Sequence, residues 1–417
     1  MHSSERVAAT LMAMDKASAS AMVPALRALL EEQWDACDVQ LLVADYRFRV
    51  LQPVEQPNTP VPVDGTAPGR AFRSQQPDLG PAGDRGVPVR LPVTVRGERL
   101  GVLQLSLPAA PGAEQQRELA ELATAVGYAL VAAGKETDLY RRAARTQRLS
   151  LAAELQWQLL PAHAVAASEF TLAGQLEPAY QVGGDNFDWS RSADSLQLSV
   201  CDGNGLGAPA ALLTTLAVTA LRNARRAGLS LTDQACLTDQ ALYANHTGRR
   251  FLQMLLLQVD LATGRMQAID AGSPLLLRLR HSHVEHLELD AQLPLGMFDG
   301  TNYTAQEIQL EPGDRLVIVS DGVHTARSPH DDEFGAVKLD QAILATRTHS
   351  PGESVRSLIG ELLAHHEGGE LHDDAVVVCL DWTGPHPAAR TSGNPPADPP
   401  QCAPLTATPR PQPPGKT

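Results

Sequence analysis

Short apolar runs alternate with amphipathic stretches through residues 161–384. Runs at 196–201, 251–259, 265–270, 275–280, 284–289, 315–320 and 375–381 have the length and β-branched content of strands. Residues 208–227 and 354–366 carry apolar positions at helical spacing. Turn signals at Thr263-Gly264, Gly272-Ser273-Pro274 and residues 281–283 separate four of the strand runs, so this middle part reads as a β-meander. Strands packed between helical layers predict an α+β arrangement, an α-β-β-α sandwich rather than a parallel doubly wound sheet.

Residues 20–133 read as a smaller α/β domain. An amphipathic helix is expected at 22–33 and a strand at 39–43. Five prolines within 53–68 mark a long loop. Two strand runs, 87–95 and 100–107, flank Arg96-Gly97-Glu98-Arg99, where Gly97 signals a hairpin. A helix begins near Ala113. From there to Leu160 the pattern permits one long helix or two, with 134–160 as a helical linker. Leu119, Val126, Ala133 and Tyr140 fall on a seven-residue repeat, which permits a dimerising coiled coil. Two helices that each pack on their own domain satisfy the same pattern. Residues 385–417 hold 11 prolines in 33 positions, too little apolar surface to offset chain entropy, and read as a disordered tail.

The 417 residues carry a net charge of −14, which argues against a nucleic-acid partner. Five scattered cysteines (Cys37, Cys201, Cys236, Cys379 and Cys402) form no Cys-x-x-Cys pair, as expected of a reduced cytoplasmic chain. No signal-type segment opens the sequence, and no apolar stretch reaches membrane-spanning length.

The chemistry lies in aspartates at strand edges. Val182-Gly183-Gly184-Asp185, Cys201-Asp202-Gly203-Asn204-Gly205, Ser320-Asp321-Gly322 and His372-Asp373-Asp374-Ala375 each place a carboxylate beside glycine or another carboxylate. Any one of these is most simply a turn. Four of them at the ends of strands can converge on one rim of a sheet, where their charges repel unless cations intervene. Oxygen ligands without His or Cys favour Mg²⁺ or Mn²⁺. Two such ions suit phosphoryl transfer. His281, His283 and His286 lie around a hairpin turn and are read as surface residues. His324 reads equally as a neighbour of the third motif or as a surface residue. His365-His366 is read as a solvated helix end.

Residues 20–133 resemble a GAF sensor domain through Gly69-Arg70-Ala71-Phe72-Arg73-Ser74-Gln75-Gln76-Pro77, Leu91-Pro92-Val93, Gly101-Val102-Leu103 and the Leu119/Leu122/Val126/Leu130 helix. Residues 150–384 resemble the SpoIIE-like branch of the metal-dependent phosphatases, the protein phosphatase 2C superfamily. The ordered motifs are Leu155-Gln156-Trp157-Gln158-Leu159-Leu160-Pro161, Glu177-Pro178-Ala179 with Gly183-Gly184-Asp185, Asp202-Gly203-Asn204-Gly205-Leu206-Gly207 with Pro209-Ala210-Ala211, Leu293-Pro294-Leu295-Gly296, Pro312-Gly313-Asp314-Arg315-Leu316, Ser320-Asp321-Gly322 and His372-Asp373-Asp374-Ala375. The resemblance implies that Asp202 bridges two metals and that Gly203 binds one through its carbonyl. Asp185 would serve that same metal, and Asp321 and Asp373 the other, while Asp374 would be a neighbour.

It further implies a serine/threonine phosphatase acting on a phosphorylated anti-anti-sigma protein, with a sensor domain in control. Asn186, Leu206, Ser273 and Thr325 depart from residues common in the family, which bears on the level of activity. A scaffold that binds the partner without hydrolysis is the alternative. Removal of everything after Gly384 is expected to leave melting temperature and turnover nearly unchanged. A large loss of either, in melts and a phosphatase assay, would show that the tail packs on the catalytic domain.

Overall fold

The computed structural model describes residues 3–56, 59–146, 149–179, 182–203, 205–272, 274–367 and 371–385. The Pro-rich segment and Ser273 lie outside the described residues. The N-terminal part contains α1 (Ser3–Lys16), α2 (Met22–Trp34), β1 (Cys37–Ala44), β2 (Val50–Pro53), β3 (Val61–Pro62), α3 (Ala67–Ser74), β4 (Asp78–Leu79), β5 (Val87–Val95), β6 (Glu98–Leu107) and α4 (Ala113–Ala133). Its six strands form one antiparallel sheet in the order β3-β2-β1-β6-β5-β4. Alternation along β5 sends Val87, Val89, Leu91 and Val93 to one face. There they join Leu26, Leu30, Leu119, Leu122 and Val126 of the helices in one core. The opposite face is closed by Phe72 and Ala71 of α3 against Leu42, Leu51 and Val102.

Two short helices follow, α5 (Leu139–Ala144) and α6 (Leu151–Leu159), then β7 (Ala164–Ala166), β8 (Phe170–Glu177), β9 (Asn186–Arg191), β10 (Ser195–Asp202), α7 (Ala208–Arg226) and α8 (Leu231–His246). The remainder is β11 (Gln253–Asp260), β12 (Arg265–Asp270), β13 (Leu275–Arg280), β14 (His283–His286), β15 (Gln306–Gln309), β16 (Arg315–Val319), α9 (Asp321–His324), α10 (Gly335–Ala345), α11 (Pro351–His365) and β17 (Ala375–Trp382). Two antiparallel sheets stack here, β15-β12-β11-β10-β9 on β14-β13-β16-β17-β8-β7. Phe170, Phe187, Leu198, Leu257, Val378 and Trp382 fill the space between them. α7 and α8 cover the outer face of the first sheet through Leu213, Leu221 and Leu242. α10 and α11 cover the second through Leu339, Ile343, Leu358 and Leu362. This is the expected α-β-β-α layering.

Several expectations change. The meander is not one sheet: β11 and β12 pair in the first sheet, and the chain then crosses near Gly272 so that β13 and β14 pair in the second. The pattern alone could not show this, because a hairpin and a crossover share the same turn residues. The 53–68 segment includes β3 and the start of α3 as well as loop. The seven-residue face of Leu119, Val126, Ala133 and Tyr140 is taken up inside the N-terminal core, and the 113–160 stretch is three helices. His366 is buried rather than solvated, with its Nδ1 on the Leu362 carbonyl. Among the described residues no helix is long and apolar enough to cross a membrane.

Asp239 is fully buried on α8. Its Oδ1 accepts from the Gly296 N–H at 2.7 Å and the Tyr303 hydroxyl at 3.1 Å, fastening the 290–305 loop to the helix. Replacing it by alanine strands both donors away from water. Asp239→Ala is therefore expected to lower stability by about 1–3 kcal/mol. Denaturant melts check this, and an unchanged midpoint would show that water or a neighbour replaces the carboxylate.

Candidate metal centre

Each expected carboxylate sits where a strand ends or begins. Asp202 ends β10, Asp185 precedes β9, Asp321 opens α9 directly after β16, and Asp373 precedes β17. β9 and β10 are neighbours in one sheet and β16 and β17 in the other, so the two sheets bring two pairs to one end of the sandwich. Glycines let the backbones meet there. A Cβ on Gly203 would lie 2.4 Å from the Gly183 carbonyl oxygen, and one on Gly183 would lie 2.4 Å from Asp373 Oδ1. Neither position has room for a side chain.

Asp374 ties the pairs together and is fully buried. Its Oδ1 accepts from the Ala179 N–H at 2.8 Å. Its Oδ2 accepts from the N–H groups of Gly183 and Gly184, both at 2.9 Å, and from Gln156 Nε2 at 2.6 Å. This carboxylate is thus occupied with holding the loop that carries Asp185. Gln156, on α6, also reaches the Asp185 carbonyl at 3.0 Å. Thr214 of α7 donates to the Gly184 carbonyl. Sequence reasoning gave Gln156 no role. The available signal was a polar residue on a helix face otherwise made of Ala152, Ala153, Trp157 and Leu159, all buried.

The remaining carboxylates are left more open. Asp185 accepts the Gly203 N–H at 3.0 Å through Oδ1. Asp185 Oδ2 and Asp321 Oδ1 are buried and make no hydrogen bond of good geometry. Burial, with Asp374 and Asp202 close by, pushes the Asp185 carboxyl well above its ordinary range, and the Ser320 hydroxyl and Gly203 N–H only partly offset this. Burial pushes Asp373 up to about 6, the Asp374 N–H opposing and the charges of Asp321 and Asp374 adding. Among the described residues no three His, Cys, Asp or Glu groups converge closely enough to hold a metal ion by themselves. The arrangement is two pairs, Asp185 with Asp202 and Asp321 with Asp373. An all-oxygen donor set with two buried, unpartnered carboxylate oxygens fits hard divalent cations.

The departures also find places. Asn186 is buried, with its amide 3.5 Å from the Gln156 carbonyl. Leu206 is exposed, and Thr325 donates to the Asp321 carbonyl at 2.8 Å. Asp188, on β9 three residues after Asp185, is taken up in ion pairs with Arg222 and Arg225. The histidines around the hairpin form no site: His286 pairs with Asp340, and His281 and His283 are exposed.

A carboxyl whose folded pKa is raised stabilises the fold below its unfolded value and loses that contribution as pH rises through the folded value. Chelator-treated protein should therefore melt at progressively lower temperature as pH rises from about 4 through about 6, where Asp373 ionises, and level off above that. Asp373→Asn should flatten this fall. A fall of wild-type size in the variant would assign the effect to the other buried carboxylates.

Residues 192–383 match the family described as Stage II sporulation protein E (SpoIIE). Protein IcfG of Synechocystis sp. is 25% identical over 145 residues, covering 34% of this chain and 23% of that protein. Phosphoserine phosphatase RsbU of Bacillus subtilis is 23% identical over 236 residues, covering 56% of this chain and 69% of that protein. The chain thus spans under a quarter of one relative and little more than two thirds of the other. Among solved structures, the PP2C phosphatase domain of SpoIIE from Bacillus subtilis with a fragment of its regulatory domain aligns at 20% identity and a TM-score of 0.47, over 52% of this chain and 64% of that one. The match takes in Asp202, Gly203, Asp321 and Asp373 and begins just after Asp185, so residues 192–383 of this chain are similar to the SpoIIE family.

Proposed function

We propose that the protein is a metal-dependent serine/threonine phosphatase acting in the cytoplasm on a phosphorylated regulatory protein of the anti-anti-sigma type. The observation that carries this is the gathering of Asp185, Asp202, Asp321 and Asp373 at one end of the sandwich, with Asp185 Oδ2 and Asp321 Oδ1 buried and without a hydrogen bond of good geometry. The named activity of RsbU, a phosphoserine phosphatase, supports the choice of substrate class.

In this reading Asp202 faces two cations, Gly203 offers its carbonyl and Asp185 its carboxylate to one, and Asp321 and Asp373 hold the other. Two divalent cations of the Mn²⁺ or Mg²⁺ kind supply, when bound, an activated water and positive charge for the phosphoryl oxygens. The chain's own part is placement. Asp374 fixes the Gly183-Gly184 backbone, so Asp185 is held before any ion arrives. Burial removes the water that would otherwise solvate the carboxylates, which makes their charges available to a ligand. Free cysteines at positions 37, 201, 236 and 379 accord with a reducing compartment.

Hydrolysis of a phosphoserine peptide in the presence of Mn²⁺ tests the proposal. Asp202→Asn should lower turnover by at least ~100-fold. Asp299→Asn, at an exposed position, should leave it near the wild-type rate. Near-wild-type turnover by Asp202→Asn would sink the two-metal assignment, whereas an inactive wild-type chain that still bound Mn²⁺ would favour the scaffold.

A further inference from the structure

The N-terminal sheet meets the phosphatase domain through three sets of ion pairs, and one of them reaches the candidate metal centre. At the first, Arg73 and Arg99 both pair with Glu353 at 3.1 Å, in the opening turn of α11. At the second, Glu98 bonds the His163 ring at 3.0 Å and the Ala164 N–H at 2.7 Å. The third comes from the loop between β1 and β2. Arg47 and Arg49 lie 3.3 and 2.8 Å from Glu177 Oε1, and the Glu177 side chain is only 2% exposed. Beside them Tyr46 rests on Trp157 of α6, ring centroids 4.5 Å apart.

Glu177 has an unusual address. It ends β8 in register with Ala375, the residue after Asp374. Two residues further on, the Ala179 N–H holds Asp374 Oδ1, and the chain then runs into Gly183-Gly184-Asp185. Trp157 sits next to Gln156, the side chain bonded to Asp374 and to the Asp185 carbonyl. One short loop of the N-terminal sheet therefore touches both supports of the Asp185 turn, the end of β8 and α6. Burial pushes the Glu177 carboxyl up, and the two guanidinium groups oppose that shift.

Resting on the metal-dependent reading above, we infer that Arg47 and Arg49 are positioning residues for the metal centre, acting through Glu177 on the segment that carries Asp185. The N-terminal sheet thereby sets metal affinity through direct contact. Loosening this loop, by whatever the sheet responds to, lets the end of β8 shift and weakens the centre. The Glu353 contact joins the same two parts of the chain but does not lie on that segment.

The test uses the full chain and Mn²⁺, with affinity read by calorimetry and turnover measured on a phosphoserine peptide. Arg47→Ala/Arg49→Ala should raise the Mn²⁺ Kd by roughly five- to tenfold, and Arg47→Lys/Arg49→Lys should restore most of it. Arg73→Ala/Arg99→Ala should leave the Kd within about twofold. Should the first variant not fold, Glu177→Gln removes the buried charge and leaves only the partly exposed guanidinium groups of Arg47 and Arg49, and its Kd should rise in the same direction. Equal Kd shifts from the two Arg→Ala pairs, or no shift from Arg47→Ala/Arg49→Ala or its Glu177→Gln substitute, would overturn the inference while leaving the phosphatase reading intact. Failure of the wild-type chain to bind Mn²⁺ would overturn both.

Discussion

The second half of the chain is organised around one buried carboxylate that is not among the candidate metal ligands. Asp374 accepts three backbone N–H groups and the Gln156 amide in a space closed to water. Hydrogen bonds from several donors to a charged acceptor are among the stronger ones a protein makes, and leaving them unmade is expensive. The loop before β9 carries two adjacent glycines and has little regular structure of its own. Asp374, just before β17, anchors it, and Gln156 and Thr214 add bonds to the Asp185 and Gly184 carbonyls.

That anchor explains how the site tolerates its own repulsion. Asp185, Asp373 and Asp374 are all shifted toward the neutral form, chiefly by burial. Such a cluster opposes folding at neutral pH, and the opposition is met by the two cores on either side of each sheet. Stability in this domain comes from Leu, Val and Trp packing, and part of it is held against this buried carboxylate cluster.

How much of this the sequence revealed depended on the range of the interaction. The Asp-Gly pairs at strand ends were legible, because strand runs and turn residues are local signals. The paired sheets were legible as layering, yet the crossover near Gly272 was not, since pairing partners are chosen by distant strands. The burial of Asp239 left no local signal, because its helix has weak amphipathic character and its partners Gly296 and Tyr303 come from the distant 290–305 loop. The seven-residue repeat on α4 was read as compatible with a partner helix, and it is filled instead by the chain's own sheet. Gln156 and Glu177 stood inside quoted motifs, but their partners lie 218 and 128 residues away in sequence.

The position of β17 also bears on how the molecule comes into being. Gly183 and Asp374, which must bond for the Asp185 loop to take shape, are 191 residues apart. β17 is the last of the described strands, and it fills the gap between β8 and β16 in its sheet. During synthesis the N-terminal sheet can close early, because its strands are near neighbours in sequence. The second sheet of the phosphatase must wait with an open slot until β17 emerges. The carboxylate cluster is thus never assembled on a partial chain, and a ribosome-bound intermediate would expose two unpaired strand edges rather than a half-built centre.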